Sequence, residues 1–187
     1  MQPSLQTTRL LLRPYEQSDA ADVRRLAGDA RIADTTLVIP HPYPEGAAEA
    51  WIAEHPRAYA DRSEITFAIT LRDSGALAGT ASLLGFSQQH ARAELGYWVG
   101  VAYWNQGIGT EAVERLIRFA HEDLGVTRVM ARCLACNPAS ARVMEKAGMQ
   151  AEGRLAAHVL KNGRYEDMLL YGLLLPGRGS EADPALD

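Results

Sequence analysis

The apolar positions change period several times along the chain, and those changes mark its elements. Leu10, Leu11 and Leu12 form a short apolar run between Arg9 and Arg13, stopped by Pro14, and read as a strand. Ser18 or Asp19 is placed to cap a helix running to about Gly28. "LVIPHPYP" (37–44) carries three prolines and reads as a loop. A second helix is expected from Glu45 to about Asp61, interrupted near Pro56. Then the pattern turns to strands: "ITFAITL" (65–71), a turn at Asp73-Ser74-Gly75, "LAGTASLLGF" (77–86) and "ARAELGYWVG" (91–100). In 109–124, Val113, Leu116, Ile117, Ala120 and Leu124 share one face of a helix. "RVMARCLA" (128–135) reads as a strand, and Ser140 to Ala147 as a short helix stopped at Gly148. "RLAAHVL" and "YEDMLLYGLLL" flank Lys161-Asn162-Gly163, an Asn-Gly hairpin signal. From Pro176 the chain is rich in Gly, Pro and acid, which predicts one domain over 1–175 and a disordered tail over 176–187.

Composition narrows the classes. The 187 residues are 47% hydrophobic and 22% charged, as in an ordinary globular domain. No apolar run approaches the roughly 18 residues of a membrane span. The first dozen residues show no signal-peptide pattern, so the cytoplasm is the expected compartment. The net charge of −4 argues against a general nucleic-acid or anionic-membrane binder. Two cysteines make no disulfide framework, and the C-x-x-C at Cys133 and Cys136 lacks a second pair, so both read as structural and no metal is expected.

The chemistry starts at "YWNQGIGTEA" (103–112), where Gly107 and Gly109 stand at the mouth of a helix. Glycine there weakens the helix by about 1 kcal/mol relative to Ala. One account is that the two residues only shape the turn. The other is that a phosphate takes the unpartnered N–H groups of the first helical turn, and glycine lets it approach. The dinucleotide pattern G-x-G-x-x-G fails at Ala112, and no P-loop G-K-[ST] occurs.

A second segment, "CNPASARVMEKAGMQAEG" (136–153), follows the next strand. Together with "GYWVGVAYWNQGIGTEA" (96–112) it resembles the signature segments of the GNAT superfamily of acyl-CoA-dependent N-acetyltransferases. "TTRLLLRPYEQSDA" near the start, Trp104, and "AEGRL…NGRYEDMLLYGL" near the end resemble the branch named for the ribosomal-protein N-terminal acetyltransferases RimJ and RimL. The similarity runs over about residues 7–175. It implies a mixed α/β fold: a splayed, mostly antiparallel sheet of about seven strands with helices on both faces. It also implies acetyl-CoA as co-substrate, with no metal. The pyrophosphate would lie on Asn105, Gln106, Gly107, Ile108, Gly109 and Thr110. The pantetheine arm would pair with the edge of Tyr97, Trp98 and Val99, where two neighbouring strands splay. Asn137, Ser140 and Lys146 match the second motif.

That resemblance implies transfer of an acetyl group to a primary amine, on a protein N-terminus or a small molecule. No nucleic-acid or membrane partner is expected, and the chain is expected as a monomer or homodimer. Glu94 resembles the base position of several such enzymes; alternatively it is an edge-strand carboxylate facing water. Many of these enzymes protonate the departing thiolate with a Tyr seven residues after the motif Asn, where this chain has Met144. Ser140 is then the remaining donor, matching what the branch uses, or a first-turn helix serine. Asn137 holds the pantetheine or simply opens the turn before Pro138. His41 and Tyr43 in the Pro-rich loop are substrate rim or plain surface connection. A catalytically silent acyl-CoA-binding sensor or partner module is the alternative function.

Overall fold

The computed structural model describes residues 1–177; the tail expected over 176–187 lies almost wholly outside them. The strands are β1 (Leu5–Gln6), β2 (Leu10–Arg13), β3 (Glu64–Leu71), β4 (Leu77–Ser87), β5 (Arg92–Val99), β6 (Arg128–Leu134), β7 (Gln150–Lys161) and β8 (Arg164–Leu174). They form one open sheet in the order β1-β2-β3-β4-β5-β6-β8-β7, antiparallel everywhere except β5 against β6. The helices are α1 (Ala20–Ala27), α2 (Ala30–Thr35), α3 (Ala47–Ala60), α4 (Ile108–Glu122) and α5 (Pro138–Lys146). The count of eight strands, against about seven expected, comes from β1, too short to show a period.

The two faces of the sheet are covered by different helices. On β3, Ile65, Phe67 and Ile69 point into a core shared with α4 and α5, while Ala68 points into a smaller core under α1 and α3. Because both faces of β3 are buried, its sequence reads as an apolar run rather than an alternation. α4 supplies the larger core with Val113, Leu116, Ile117 and Phe119, each fully buried aliphatic contributing about 2 kcal/mol. Phe119 meets Phe67 edge to face at 5.7 Å. Arg13 grips Asp19 with two bonds of 2.7 and 2.8 Å, tying β2 to the turn that starts α1.

Two local expectations change. α3 runs through Pro56 without a break. Its buried residues Ala48, Ile52 and His55 hold it against the smaller core, and that packing outweighs the cost of a mid-helix proline. α2 was not visible in the pattern: six residues long, it is capped by Asp29, whose carboxylate accepts from Arg31 N at 3.0 Å. The β7–β8 hairpin turns on Asn162 and Gly163, at φ 49° and 76°, the two positive angles a tight primed turn requires.

Candidate active site

The parallel pairing of β5 and β6 stops early. Arg92 to Leu95 register with Arg128 to Ala131, and beyond that rung β6 pairs only with β8. The backbone of Gly96–Val99 therefore has β4 on one side and an opening on the other. Gly100 N donates to Ala78 O at 2.8 Å on the β4 side. By strict alternation along an antiparallel pair, Trp98 and Gly96 also bond to β4, while Tyr97 and Val99 turn their backbone groups to the opening. Of the edge expected at Tyr97, Trp98 and Val99, alternation thus turns Tyr97 and Val99 to the opening and Trp98 to β4. The Val99 carbonyl already accepts from Trp104 Nε1 at 2.6 Å, which fixes the indole beside the loop.

The opening leads into a cavity of about 1080 Å³. One end meets the N-terminus of α4. Gly107 is the N-cap, in the left-handed region at φ 76°, and Asn105 is also left-handed at 60°. Asn105, Gly107, Ile108, Gly109 and Thr110 all line the cavity. Gln106 does not: its side chain folds back onto Ala102 O at 2.8 Å. The two glycines do separate jobs. Gly107 satisfies a positive φ. A Cβ on Gly109 would make ordinary contact with Val143 Cγ2 at 3.5 Å and Val99 Cγ2 at 3.6 Å, so its place is against β5 and α5. Arg9, which the motif reading passed over, braces the loop from below: its guanidinium donates to Gln106 O at 2.9 Å and to Glu111 Oε2 at 2.7 Å.

The middle of the cavity is walled by α5. Asn137 is the N-cap, accepting from Ser140 N at 3.1 Å, and its amide donates to Thr35 O at 3.1 Å. Asn137 thus opens the helix and also ties down α2, with one amide hydrogen and one lone pair still unspent. Because Asn137 does the capping, the Ser140 hydroxyl is free for other work; it meets the Tyr97 hydroxyl at 2.8 Å. Burial pushes the Tyr97 phenol well above its ordinary range and the neighbouring Cys133 thiol up to about 11, so both stay protonated at neutral pH. Cys136, beyond the end of β6, is exposed. Lys146 and Arg142 add positive charge to the same wall, Arg142 being a second residue the motifs did not single out.

The other end of the cavity lies on the α1/α3 side of the sheet. Tyr43, Trp51 and Trp98 wall it, and Glu94 lies on its floor. Glu94 is paired with Arg132 at 2.7 Å across the last rungs before the opening. The loop residues part company. Tyr43 lines the cavity, whereas His41 is turned away onto Gly28 O at 3.0 Å. Among the described residues no cluster of His, Cys, Asp or Glu is placed to hold a metal ion, and no helix is long and apolar enough to cross a membrane.

Comparison with known proteins follows the same lines. Residues 9–150 match the acetyltransferase (GNAT) domain family. The chain is 28% identical over 185 residues to the N-acetyltransferase YoaA of Bacillus subtilis (strain 168), covering 94% of this chain and 99% of that protein. It is 30% identical over 121 residues to the ribosomal-protein-serine acetyltransferase of Escherichia coli (strain K12), covering 65% of this chain and 64% of that one. The solved structure of RimL, the ribosomal L7/L12 alpha-N-protein acetyltransferase in complex with coenzyme A, shares the fold, with a TM-score of 0.85 over 92% of this chain and 98% of that one at 18% identity. A sheet that splays beside a glycine-capped helix and a matched family domain lead to one conclusion: this chain belongs to the GNAT superfamily, on its RimJ/RimL-like branch, and is an acyl-CoA-dependent N-acetyltransferase.

Proposed function

We propose that the protein transfers an acetyl group from acetyl-CoA to a primary amine by direct attack on the thioester. The observation that carries this is the open edge of β5 between the α4 N-terminus and the aromatic end of the cavity. The residues fit the co-substrate. Backbone N–H groups of Asn105 to Thr110, at the positive end of the α4 dipole, suit a pyrophosphate. The outward-facing groups of Tyr97 suit a pantetheine arm laid down along the strand, and the Val99 N–H lies one step further on, beside the thioester. Lys146 is close enough to the same wall to share the load of its negative charge.

At the reacting centre, an amine with an unperturbed pKa of about 8 to 10 must lose a proton before it attacks. Of the two carboxylates that line the cavity, Glu64 and Glu94, Glu94 stands beside the open edge of β5 and takes that proton directly or through water. The Val99 N–H faces the opening and serves the oxyanion of the tetrahedral intermediate. Ser140 supplies a hydroxyl donor to the departing thiolate. Tyr43, Trp51 and Trp98 form the wall against which the acceptor, a protein N-terminus or a small amine, packs.

The test is thiol release from acetyl-CoA across a panel of N-terminal peptides, polyamines, amino acids and aminoglycosides. Release with any of them supports the reading. Tight CoA binding with no release on the whole panel overturns the reading of these amines as acceptors.

A further inference from the structure

Tyr97 carries two hydrogen-bonding functions at one point. Its backbone belongs to the open edge of β5, while its phenol crosses the cavity floor to α5. There the hydroxyl lies 2.8 Å from Ser140 Oγ and 2.9 Å from Ser140 O. The carbonyl only accepts, whereas the serine oxygen both donates and accepts. With one phenolic hydrogen, two patterns satisfy the same heavy atoms. In the first, Tyr97 donates to the carbonyl and Ser140 donates back to the phenol oxygen. In the second, Tyr97 donates to Ser140 Oγ, and the serine hydrogen is released toward the neighbouring Cys133 sulfur and the cavity that these side chains line.

Resting on the acetyl-transfer reading, we propose that Tyr97 is the positioning residue that turns the Ser140 hydrogen onto the departing sulfur. As the C–N bond forms and the C–S bond breaks, the electron pair leaves on sulfur. Tyr97 swings its hydrogen from the carbonyl to Oγ, and Ser140 Oγ–H then donates to the thiolate. Neither hydroxyl surrenders its proton; the amine's proton leaves by the separate route through Glu94. Three features suit this device. The buried phenol resists ionisation, so it remains a donor through neutral pH. Asn137 holds the Ser140 N–H at 3.1 Å, so the switch moves hydrogens and not the helix. Met144 is fully buried and offers no donor, so the hydrogen bond to sulfur falls to Ser140, oriented by a hydroxyl from the facing strand.

The experiment uses CoA and desulfo-CoA, in which hydrogen replaces the thiol, titrated calorimetrically into the full chain at pH 6 and pH 9. A cysteine thiol titrates near pH 8.5 and an alkyl thiol somewhat higher, so the thiolate share of CoA is far larger at pH 9 than at pH 6. Wild type should bind CoA about tenfold more tightly than desulfo-CoA at pH 9 and about equally at pH 6, the size of one charge-assisted hydrogen bond. Tyr97→Phe and Ser140→Ala should each erase that preference, read as the ratio of the two affinities within each variant, and the double variant should lose no more of it than Ser140→Ala alone. A wild-type chain without the preference, a Tyr97→Phe chain that keeps it, or losses that simply add would overturn the proposal. Should Tyr97→Phe fail to fold, Tyr97→Leu takes its place with the same expected loss, and a retained preference there or in Ser140→Ala breaks the relay. The readout needs no acceptor and no turnover. Failure here therefore leaves acetyl transfer standing, and failure of the acceptor panel leaves this result readable.

Discussion

Alanine at Gly107 and alanine at Gly109 should act in opposite directions, although the two glycines look equivalent in a G-x-G pattern. Gly107 caps α4 at φ 76°, where an L residue costs about 1–2 kcal/mol. Its new Cβ would lie 3.3 Å from Arg9 Nη2. That guanidinium is not free to swing away, being bonded to Gln106 O at 2.9 Å and to Glu111 at 2.7 Å. Either the turn flattens or Arg9 lets go, and both disturb the N–H groups of Asn105 to Ile108. Losing the same 1–2 kcal/mol at a bound pyrophosphate lowers CoA affinity about five- to thirtyfold. Gly109 has ordinary helical backbone and room for a methyl, with its nearest neighbours at 3.5 and 3.6 Å. Alanine there gains about 1 kcal/mol of helix propensity, raising the melting temperature by about 2–4 °C in a domain of this size. Its CoA affinity should stay within about threefold of wild type. Calorimetry with CoA and a thermal melt on each variant check both halves. Wild-type affinity in Gly107→Ala, or a larger loss in Gly109→Ala than in Gly107→Ala, would refute the division of labour.

Three further outcomes are expected. Glu94→Gln should lower kcat by about 10²–10⁴ at pH 7 with acetyl-CoA binding intact, and the loss should shrink at higher pH as more acceptor is already neutral; full kcat at pH 7 removes Glu94 from the base role. Ser140→Ala should lower kcat but cost little stability, since Asn137 makes the cap, whereas Asn137→Ala should cost about 1 kcal/mol in a denaturant titration and loosen α2. His55 is packed against Tyr15 and Trp51 with neither ring nitrogen partnered, and burial lowers its pKa to about 4. The unfolded chain, with an ordinary value of 6.5, then binds more protons between those limits. Stability is whole at neutral pH and falls as pH drops from about 6.5 toward 4, by about 3 kcal/mol. His55→Phe should flatten that slope; an unchanged slope would assign the loss to other groups.

How much of this was legible in the sequence depends on how far each feature reaches along the chain. α4 was readable because a single stripe, Val113 to Ala120, is buried on one face. β7 was readable only through its Asn162-Gly163 turn: almost every residue of the strand is exposed, so it carries no alternation, and its first residues, from Gln150, escaped notice. α2 left no signal because what holds its end is remote. Thr35 and Thr36 are tied by Asn137, 102 residues on, and by Lys161, whose ammonium reaches Thr36 O at 2.6 Å. The site divides the same way. The glycine loop and Asn137 each lie within one short segment and could be matched as motifs. The Glu94–Arg132 pair depends on the parallel register of β5 and β6, and the Tyr97–Ser140 bond spans 43 residues.

The opening of the sheet is the feature no local pattern could show, since β5 reads as one unbroken strand from Arg92 to Val99. Its cause lies in what stands beside the strand after Leu95. α5 enters there, with Ser140 bonded to Tyr97 and Val143 facing Gly109 across from Val99. β6, ending at Leu134, leaves its neighbour to the helix and gives its remaining ladder to β8. The Glu94–Arg132 pair straddles the last joined rung, Leu95 with Ala131, and the Tyr97–Ser140 bond lies two residues beyond it. The two residues proposed for proton removal and leaving-group support therefore flank the same fork. A strand that parts from its neighbour creates, in one step, the free backbone edge that suits pantetheine and the side-chain positions on either side of its thioester.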